Sequence, residues 1–255
     1  MKKITIIFGG NVEPYEHIVR TILEEFDIQK LDKHEGFTIY ASTINLIFEF
    51  VWCYGPTRDE NYKRAIAFYL REYKQTLPPP ADEVCKNIKK TDLVLFFGLC
   101  GAFKGQVNDV YLPTEFWEIN FNARRITPKH ITTVTPQNKI ICDNLFIGKV
   151  KGKKSRQVTS NITLAPKLIE AEDPAHHLRK LAYKLFSFAD TVDKESYEVV
   201  KALGGKFPIG LLVLASDVLD TKEFQMMLGK EHYDRKIFNK VCTNALKSVL
   251  VKLLK

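Results

Sequence analysis

Apolar residues occur along the chain in two alternating patterns. Short, nearly continuous apolar runs rich in isoleucine, valine and phenylalanine predict buried strands. Segments whose apolar residues recur every three or four positions predict amphipathic helices, and the alternation of the two patterns predicts an α/β fold. The predicted strands are residues 4–8, 37–41, 46–52, 92–97, 107–112, 139–146, 157–164 and 209–215, and the predicted helices are residues 13–26, 62–73, 82–90, 174–187, 194–203 and 233–254.

The run at residues 92–97 is almost wholly apolar, which is typical of a central strand covered on both faces. A glycine-rich turn is expected directly after it at residues 98–102, and a polar, basic loop at residues 122–137. The three prolines at 78–80 interrupt regular structure, because proline removes a backbone donor and restricts the preceding residue. We interpret them as a surface loop, so residues 1–255 are expected to form a single domain.

Composition narrows the class of protein. The formal net charge of +8 is spread along all 255 residues, which indicates no nucleic-acid-binding surface. No segment approaches the roughly 18 apolar residues of a membrane span. The first apolar run ends at Gly9 and Gly10, too early for a signal peptide. Five cysteines without a C-x-x-C pair are typical of reduced thiols, so a cytoplasmic protein is expected. Together with the spread charge and the short apolar runs, this predicts no nucleic-acid or membrane partner.

Small or polar residues directly follow several of the predicted strands. In an open α/β sheet, ligands bind beyond the carboxyl ends of the strands. One such strand end can be an ordinary tight turn, whereas several together indicate a ligand site. The strand ends in this group are Gly9 with Gly10, residues 98–101, the segment after Val158, and Ser216 with Asp217.

Three other kinds of site fit the sequence less well. Residues 9–14 read G-G-N-V-E-P and lack the G-x-G-x-x-G of a dinucleotide-binding turn. Cys100 between glycines is similar to the nucleophile elbow of glutamine amidotransferases, but no H-x-E accompanies it, so a buried structural thiol is favoured. His176 and His177 are adjacent and would point in different directions on a helix. No metal or cofactor is therefore expected.

Three segments resemble, in the same order, motifs of the nucleoside phosphorylase and nucleosidase superfamily. Residues 92–114 resemble its strand, G-x-x-G-A/G loop and V-G-D-V-V-x-P segment, and read D-L-V-L-F-F-G-L-C-G-A-F-K-G-Q-V-N-D-V-Y-L-P-T. Residues 192–197 are similar to its V-[DE]-M-E helix start, and residues 215–217 to its late S-D pair. Glu195 and Asp217 are 22 residues apart, close to the usual separation in the family.

The resemblance implies a three-layer α/β sandwich in which a central mixed, twisted sheet is flanked by helices. It also implies cleavage of the bond between a purine and its ribose, a purine nucleoside as substrate, no cofactor and a homo-oligomer. By analogy, Glu195 would accept hydrogen bonds from the ribose hydroxyls and stabilise the oxocarbenium-like cation. Asp217 would protonate purine N7 as general acid, which requires a raised pKa.

The resemblance assigns further residues to substrate binding. The backbone around residues 98–101 would closely approach the ribose and base, and residues 160–164 would form a wall under the purine. The residues expected to bind substrate beside Glu195 are Lys194, Ser216, Gly98, Leu99, Cys100, Gly101, Ile162, Gly9 and Gly10.

The first strand-to-helix loop bears on the nucleophile. Phosphorylases of the superfamily bind phosphate with arginines in that loop and, in the hexameric type, just before the central glycine turn. This chain instead has Glu13 in the loop, and Phe96 and Phe97 before Gly98. Hydrolytic nucleosidases use an acidic residue there to activate water, and a carboxylate repels a phosphate dianion. Hydrolysis is favoured, with Glu13 as the catalytic base and Glu16 as second choice.

Two alternatives stay open. Phosphorolysis, with phosphate as co-substrate, would need arginines from a neighbouring subunit. The candidates are Arg58, Arg124 and Arg125. A non-catalytic nucleoside- or nucleotide-binding relative is suggested by Lys194, which replaces the usual methionine, and by Leu99, which replaces a common serine or threonine. No phenylalanine lies in the expected base-stacking stretch at 159–166, so the preferred base and 5′ group are left open.

Overall fold

The computed structural model has alternating strands and helices. It describes residues 2–10, 12–34, 37–55, 70–71, 76–122, 125–133, 153–160, 188–193, 195–218 and 234–254. The strands are β1 (Lys2–Gly9), β2 (Gln29–His34), β3 (Thr38–Ser42), β4 (Leu46–Cys53), β5 (Leu93–Ala102), β6 (Val110–Asn122), β7 (Arg125–Thr133), β8 (Lys153–Ser160), β9 (Thr191–Asp193) and β10 (Ile209–Val218). The helices are α1 (Val12–Glu25), α2 (Ala81–Asn87), α3 (Glu195–Leu203) and α4 (Arg235–Leu254).

The strands form one mixed sheet. Four parallel strands make its centre, in the order β10-β5-β1-β4. Beyond β4, the antiparallel strands β3 and β2 extend the sheet. Beyond β10, β6 pairs with β10, β7 and β8, and β8 pairs with β9. Because β9 pairs back onto the end of β5, the strands β5, β10, β6, β8 and β9 close into a ring.

The parallel strands are buried on both faces. In β1, Ile4, Ile6 and Phe8 belong to the core that includes α1 and α4, whereas Ile7 belongs to the core that includes α2 and α3. Two buried faces explain why these strands are near-continuous apolar runs. The helices on either side complete a three-layer sandwich, which confirms the expected architecture.

Two segments expected to be loops are strands. The expected turn at residues 98–102 is a continuation of β5, because Gly98 pairs with Val213 and Gly101 pairs with Asp217 of β10. The expected loop at residues 122–137 contains β7, which pairs with β6. β7 is polar but rich in threonine and isoleucine, and these residues favour strands when a partner strand is available.

The other predicted elements agree with the structure where it describes them. β1, β3, β4, β5, β10 and all four helices lie within a few residues of their predicted positions, and β6 and β8 overlap predicted strands. The predictions at residues 139–146 and 174–187, and most of 62–73, lie outside the described residues. Among the helices of the described part of the chain, none has the length and hydropathy needed to cross a membrane.

Candidate functional site

The carboxyl ends of the parallel strands meet at one edge of the sheet, which we call the carboxyl edge. Gly9 at the end of β1 lies opposite Cys53 at the end of β4. Gly101 of β5 lies between Asp217 of β10 and Val192 of β9. Neighbouring strands are about 4.8 Å apart, so Asp217 and Val192 are separated by roughly two strand spacings. The sheet thus gathers strand ends that are far apart in the sequence.

Glu195 projects from the start of α3 at this edge. Its Oε1 accepts a hydrogen bond from the backbone N–H of Gly55 at 2.9 Å. A Cβ added to Gly9 would lie 3.2 Å from the Cβ of Glu195, so these two residues are close neighbours. The half-buried carboxylate is therefore held against the ends of both β1 and β4.

A second carboxylate fixes the start of α3. Asp193 is buried, and its Oδ1 accepts a hydrogen bond from Ser196 Oγ at 2.5 Å. A carboxylate at a helix N-terminus is favoured by the helix dipole and by the free N–H groups there. Glu195 lies between Asp193 and Ser196 in the sequence. The hydrogen bond between those two residues therefore restricts the direction in which the Glu195 side chain leaves the helix.

The Gly55 turn, residues 54 and 55, connects the end of β4 to Glu195 and to α2. Gly55 has a φ of +54°, a left-handed conformation that favours glycine. Its carbonyl accepts a hydrogen bond from the N–H of Ala81 at 2.8 Å, and the N–H of Tyr54 donates to the carbonyl of Pro79 at 3.0 Å. Sequence reasoning missed Gly55, and the signal that could have found it is a glycine following the apolar run of β4.

Phe96 fills the space beside two glycines of the carboxyl edge. A Cβ on Gly9 would lie 2.8 Å from Cζ of the Phe96 ring, and a Cβ on Gly98 would lie 2.8 Å from its Cε1. Both positions therefore require glycine because of this ring, which is completely buried. Phe96 accounts for Gly98 without a ligand, and binding of substrate by Gly98 stays a prediction.

The loop from β1 to α1 is held by backbone contacts. Gly10 has a φ of +111°, and its N–H donates to the carbonyl of Cys53 at 2.9 Å. The hydroxyl of Tyr15 in α1 donates to the carbonyl of Gly9 at 2.6 Å. The structure describes the backbone of Glu13, which lies in the first turn of α1, directly after the loop that follows β1 at the carboxyl edge.

A β-bulge interrupts β10 next to the predicted acid. The register with β5 shifts between Ala215 and Asp217, so Ser216 is the extra residue. Its Oγ donates a hydrogen bond to the carbonyl of Cys100 at 3.2 Å. Bulges change the direction of the side chains beside them and are frequent next to active sites. The backbone of Asp217 is described, whereas its side chain is not.

Two thiols lie beneath the carboxyl edge. Cys100 is 2% exposed and packs in the core that includes α2 and α3, as expected for a structural thiol. Burial, followed by the charge of Glu195, raises the pKa of the Cys53 thiol well above its usual range. A protonated, buried thiol is a poor nucleophile, so the polar chemistry of this edge belongs to carboxylates.

Of the remaining predicted site residues, the structure describes Leu99 but not Lys194 or Ile162. Leu99 is half-buried and packs against the core that includes α1 and α4. Lys194 and Ile162 lie outside the described residues, so their roles stay predictions. Within the described segments, no group of three or more histidine, cysteine, aspartate or glutamate side chains could hold a metal ion.

Comparison with known proteins gives a match at the level of structure. No protein-family model matches the chain, and no curated protein sequence matches it. The 5′-methylthioadenosine/S-adenosylhomocysteine nucleosidase of Campylobacter jejuni is 15% identical, with a TM-score of 0.60 over 100% of this chain and 99% of its own. A futalosine hydrolase mutant of Helicobacter pylori is 13% identical, with a TM-score of 0.61 over 99% of this chain and 100% of its own.

A mutant of the Helicobacter pylori nucleosidase with 5′-methylthioadenosine in its active site is also similar. It is 14% identical and has a TM-score of 0.59 over 99% of both chains. At such low identity the match establishes the fold, and chemistry has to be argued from the site. This chain therefore has the nucleoside phosphorylase-like fold that the resemblance implies.

Proposed function

We propose that this protein is a hydrolytic nucleosidase that cleaves the N-glycosidic bond of a purine nucleoside or a 5′-modified nucleoside. The observation that carries the proposal is the position of Glu195, which lies beside Gly9 and accepts a hydrogen bond from Gly55 at the carboxyl edge. Substrates of open α/β sheets bind at this edge. The fold shared with the nucleosidases supports the same reaction.

Glu195 is suited to hold a ribose. Gly55 donates to Oε1, while Oε2 has no hydrogen-bond partner among the described residues and can accept a ribose hydroxyl. As the glycosidic bond breaks, positive charge develops on the ribose. A carboxylate that is already oriented stabilises this charge without reorganising, and this is the interaction that lowers the barrier.

Asp217 is the proposed general acid. The purine leaves as an anion unless N7 accepts a proton, so a carboxylic acid beside N7 assists departure. The bulge at Ser216 supports this role, because it changes the direction in which the following side chain points. Ser216, Lys194, Ile162 and the backbone of residues 98–101 are proposed to line the pocket for the base and ribose.

Water is the proposed nucleophile, with Glu13 as the base that activates it and Glu16 as second choice. Glu13 is the second residue of α1, which follows the loop that Gly10 joins to β4 by a hydrogen bond. A phosphate dianion beside two carboxylates would be disfavoured, whereas water would not. Phe96 and Phe97, both completely buried, occupy the two positions before Gly98, so no arginine is present there to bind phosphate.

A second candidate function is binding of a nucleoside or nucleotide without catalysis. The specific observation in its favour is Leu99, an apolar, half-buried side chain within the stretch 98–101 that is predicted to bind substrate. An apolar group there offers no hydrogen bond to a substrate or to a water nucleophile. Under either function we propose a single-domain, cytoplasmic homo-oligomer that uses no cofactor.

Base release decides between these functions. The purified protein would be incubated with adenosine, inosine and 5′-methylthioadenosine, with and without phosphate, and free base and reducing sugar would be measured. We expect both products at a rate that does not depend on phosphate. Release that requires phosphate would establish phosphorolysis and contradict the proposal. Absence of release, together with thermal stabilisation by a nucleoside, would establish the binding function.

A further inference from the structure

The hydroxyl of Tyr15 is buried beneath the carboxyl edge. Tyr15 is the fourth residue of α1 and is 1% exposed, and its hydroxyl donates to the carbonyl of Gly9 at 2.6 Å. Its ring packs against Phe8 of β1, with ring centroids 4.6 Å apart, and meets Phe238 of α4 in an edge-to-face arrangement at 5.3 Å. The side chain therefore joins α1 to both the sheet and α4.

Packing of this side chain does not require the hydroxyl. A phenylalanine ring would make the same contacts with Phe8 and Phe238, whereas a buried hydroxyl loses its hydration. The hydrogen bond to Gly9 offsets that loss, and hydrogen bonds are directional. The specific contribution of the hydroxyl is therefore a directional link between α1 and the last residue of β1.

This link closes the loop between β1 and α1. Gly9 ends β1 and Val12 begins α1, so the loop between the strand and the helix is very short. Within it, Gly10 has a φ of +111° and donates its N–H to the carbonyl of Cys53 at 2.9 Å. The loop is thus fastened to β4 through Gly10 and to β1 through Tyr15.

The start of α1 depends on contacts from outside the helix. The first backbone N–H groups of a helix have no partner within it, and Pro14, the third residue of α1, has no N–H at all. Glu13 lies two residues before Tyr15, and consecutive helical residues are related by a fixed rotation and a rise of about 1.5 Å. Anchoring Tyr15 to Gly9 therefore also anchors the backbone of Glu13.

The same anchor relates the two proposed catalytic carboxylates to each other. Gly9 is a close neighbour of Glu195, because a Cβ added to Gly9 would lie 3.2 Å from the Cβ of Glu195. Tyr15 consequently connects the helix that carries Glu13 to the strand end beside Glu195. A general base has to lie within hydrogen-bond distance of the water that it activates, and a misplacement of about 1 Å costs about 100-fold in rate.

We propose that Tyr15 is a positioning residue for hydrolysis. Its hydrogen bond to Gly9 holds the start of α1 so that Glu13 faces the water nucleophile beside the ribose bound by Glu195. In this role Tyr15 acts through the backbone of α1 and does not contact the reacting atoms. The inference rests on the proposed function, because it needs a base and a ribose-binding carboxylate at this edge.

Tyr15→Phe deletes the hydroxyl and keeps the ring. We expect kcat for base release to fall about tenfold or more while KM changes less than about threefold, because a displaced base slows the chemical step and leaves the ribose contacts in place. Tyr40→Phe is the matched control, since it deletes a tyrosine hydroxyl that donates to Glu49 at 2.9 Å. Its kcat should stay within about twofold of the wild-type value. Equal kcat values for the two variants, or a change confined to KM, overturn the proposal.

A double-mutant cycle separates positioning from a general loss of stability. The base is already absent in Glu13→Gln, so adding Tyr15→Phe should lower kcat by less than about a further twofold. A decrease of about tenfold in both backgrounds would show that the hydroxyl does not act through Glu13, and would refute the inference. The wild-type protein in the same assay tests the premise, because absence of base release by it would contradict the proposed function itself.

Discussion

The backbone N–H of Gly55 donates to Oε1 of Glu195 at 2.9 Å, and this contact joins two segments that are 140 residues apart in the chain. Gly55 ends the segment after β4, while Glu195 begins α3. The same glycine accepts a hydrogen bond from Ala81 at the start of α2. One residue therefore ties the proposed ribose-binding carboxylate to two other elements, and the carboxylate is oriented before any substrate arrives.

Replacement of this carboxylate tests its role in the reaction. Glu195→Gln removes the negative charge while keeping the shape of the side chain, so stabilisation of the ribosyl cation is lost. We expect kcat/KM for base release to fall about 100- to 1000-fold, with a change in unfolding free energy of at most about 1–3 kcal/mol. Glu24→Gln on the surface of α1 is the matched control. Activity of Glu195→Gln within threefold of the control would contradict the assignment.

Crowding at Gly9 gives a second prediction. In Gly9→Ala, the new methyl group would meet the Phe96 ring at 2.8 Å and Glu195 Cβ at 3.2 Å. We expect overpacking to lower the unfolding free energy by about 1–3 kcal/mol and to displace Glu195, which lowers activity further. In Gly205→Ala, a Cβ would meet nothing within 4 Å, so this control should be close to neutral. Urea denaturation of both variants measures the difference, and equal midpoints would refute the crowding.

The local sequence predicts the carboxyl edge because apolar runs followed by small or polar residues identify strand ends. Gly9, Gly101 and Asp217 all lie at this edge, as the parallel sheet requires. Gly55 escapes prediction because its role depends on Glu195, a partner that is remote in sequence. The sequence also does not reveal why residue 98 is a glycine. A side chain there would overlap the ring of Phe96, and this contact is visible only in the structure.

The errors in the sheet have a common origin. Residues 98–102 are predicted as a turn from their glycines, yet all five pair with β10, and Gly101 and Ala102 also pair with β9. β7 and β9 are polar or very short, so neither has an apolar run that predicts it. Hydrogen bonding to partner strands, which no local pattern records, decides their conformation.

Substitutions at Ser216 and at the neighbouring Asp217 should have different effects, because Ser216 makes a structural hydrogen bond and Asp217 is the proposed general acid. Ser216→Ala removes the hydrogen bond from Oγ to the carbonyl of Cys100. We expect a loss of about 0.5–1.5 kcal/mol in unfolding free energy and less than about a tenfold change in kcat/KM. Asp217→Asn should lower kcat/KM by at least about 100-fold, because the amide cannot protonate the purine. The matched control is Thr21→Ala, which removes a hydroxyl-to-carbonyl bond on exposed α1. A larger decrease in kcat/KM for Ser216→Ala than for Asp217→Asn would contradict these two assignments.

The raised pKa of the Tyr40 hydroxyl predicts a loss of folding stability at alkaline pH. Burial, followed by the hydrogen bond to Glu49 and its charge, raises the pKa of Tyr40 from about 10 to about 12. The folded protein thus holds this proton more tightly than the unfolded chain does, so the stabilisation is complete below pH 10 and disappears as the pH rises through 12. We expect the urea midpoint of the wild-type protein to approach that of Tyr40→Phe between these pH values. The difference in tyrosinate absorbance between the two proteins should titrate near pH 12, and a midpoint near 10 would show that the hydroxyl does not face Glu49.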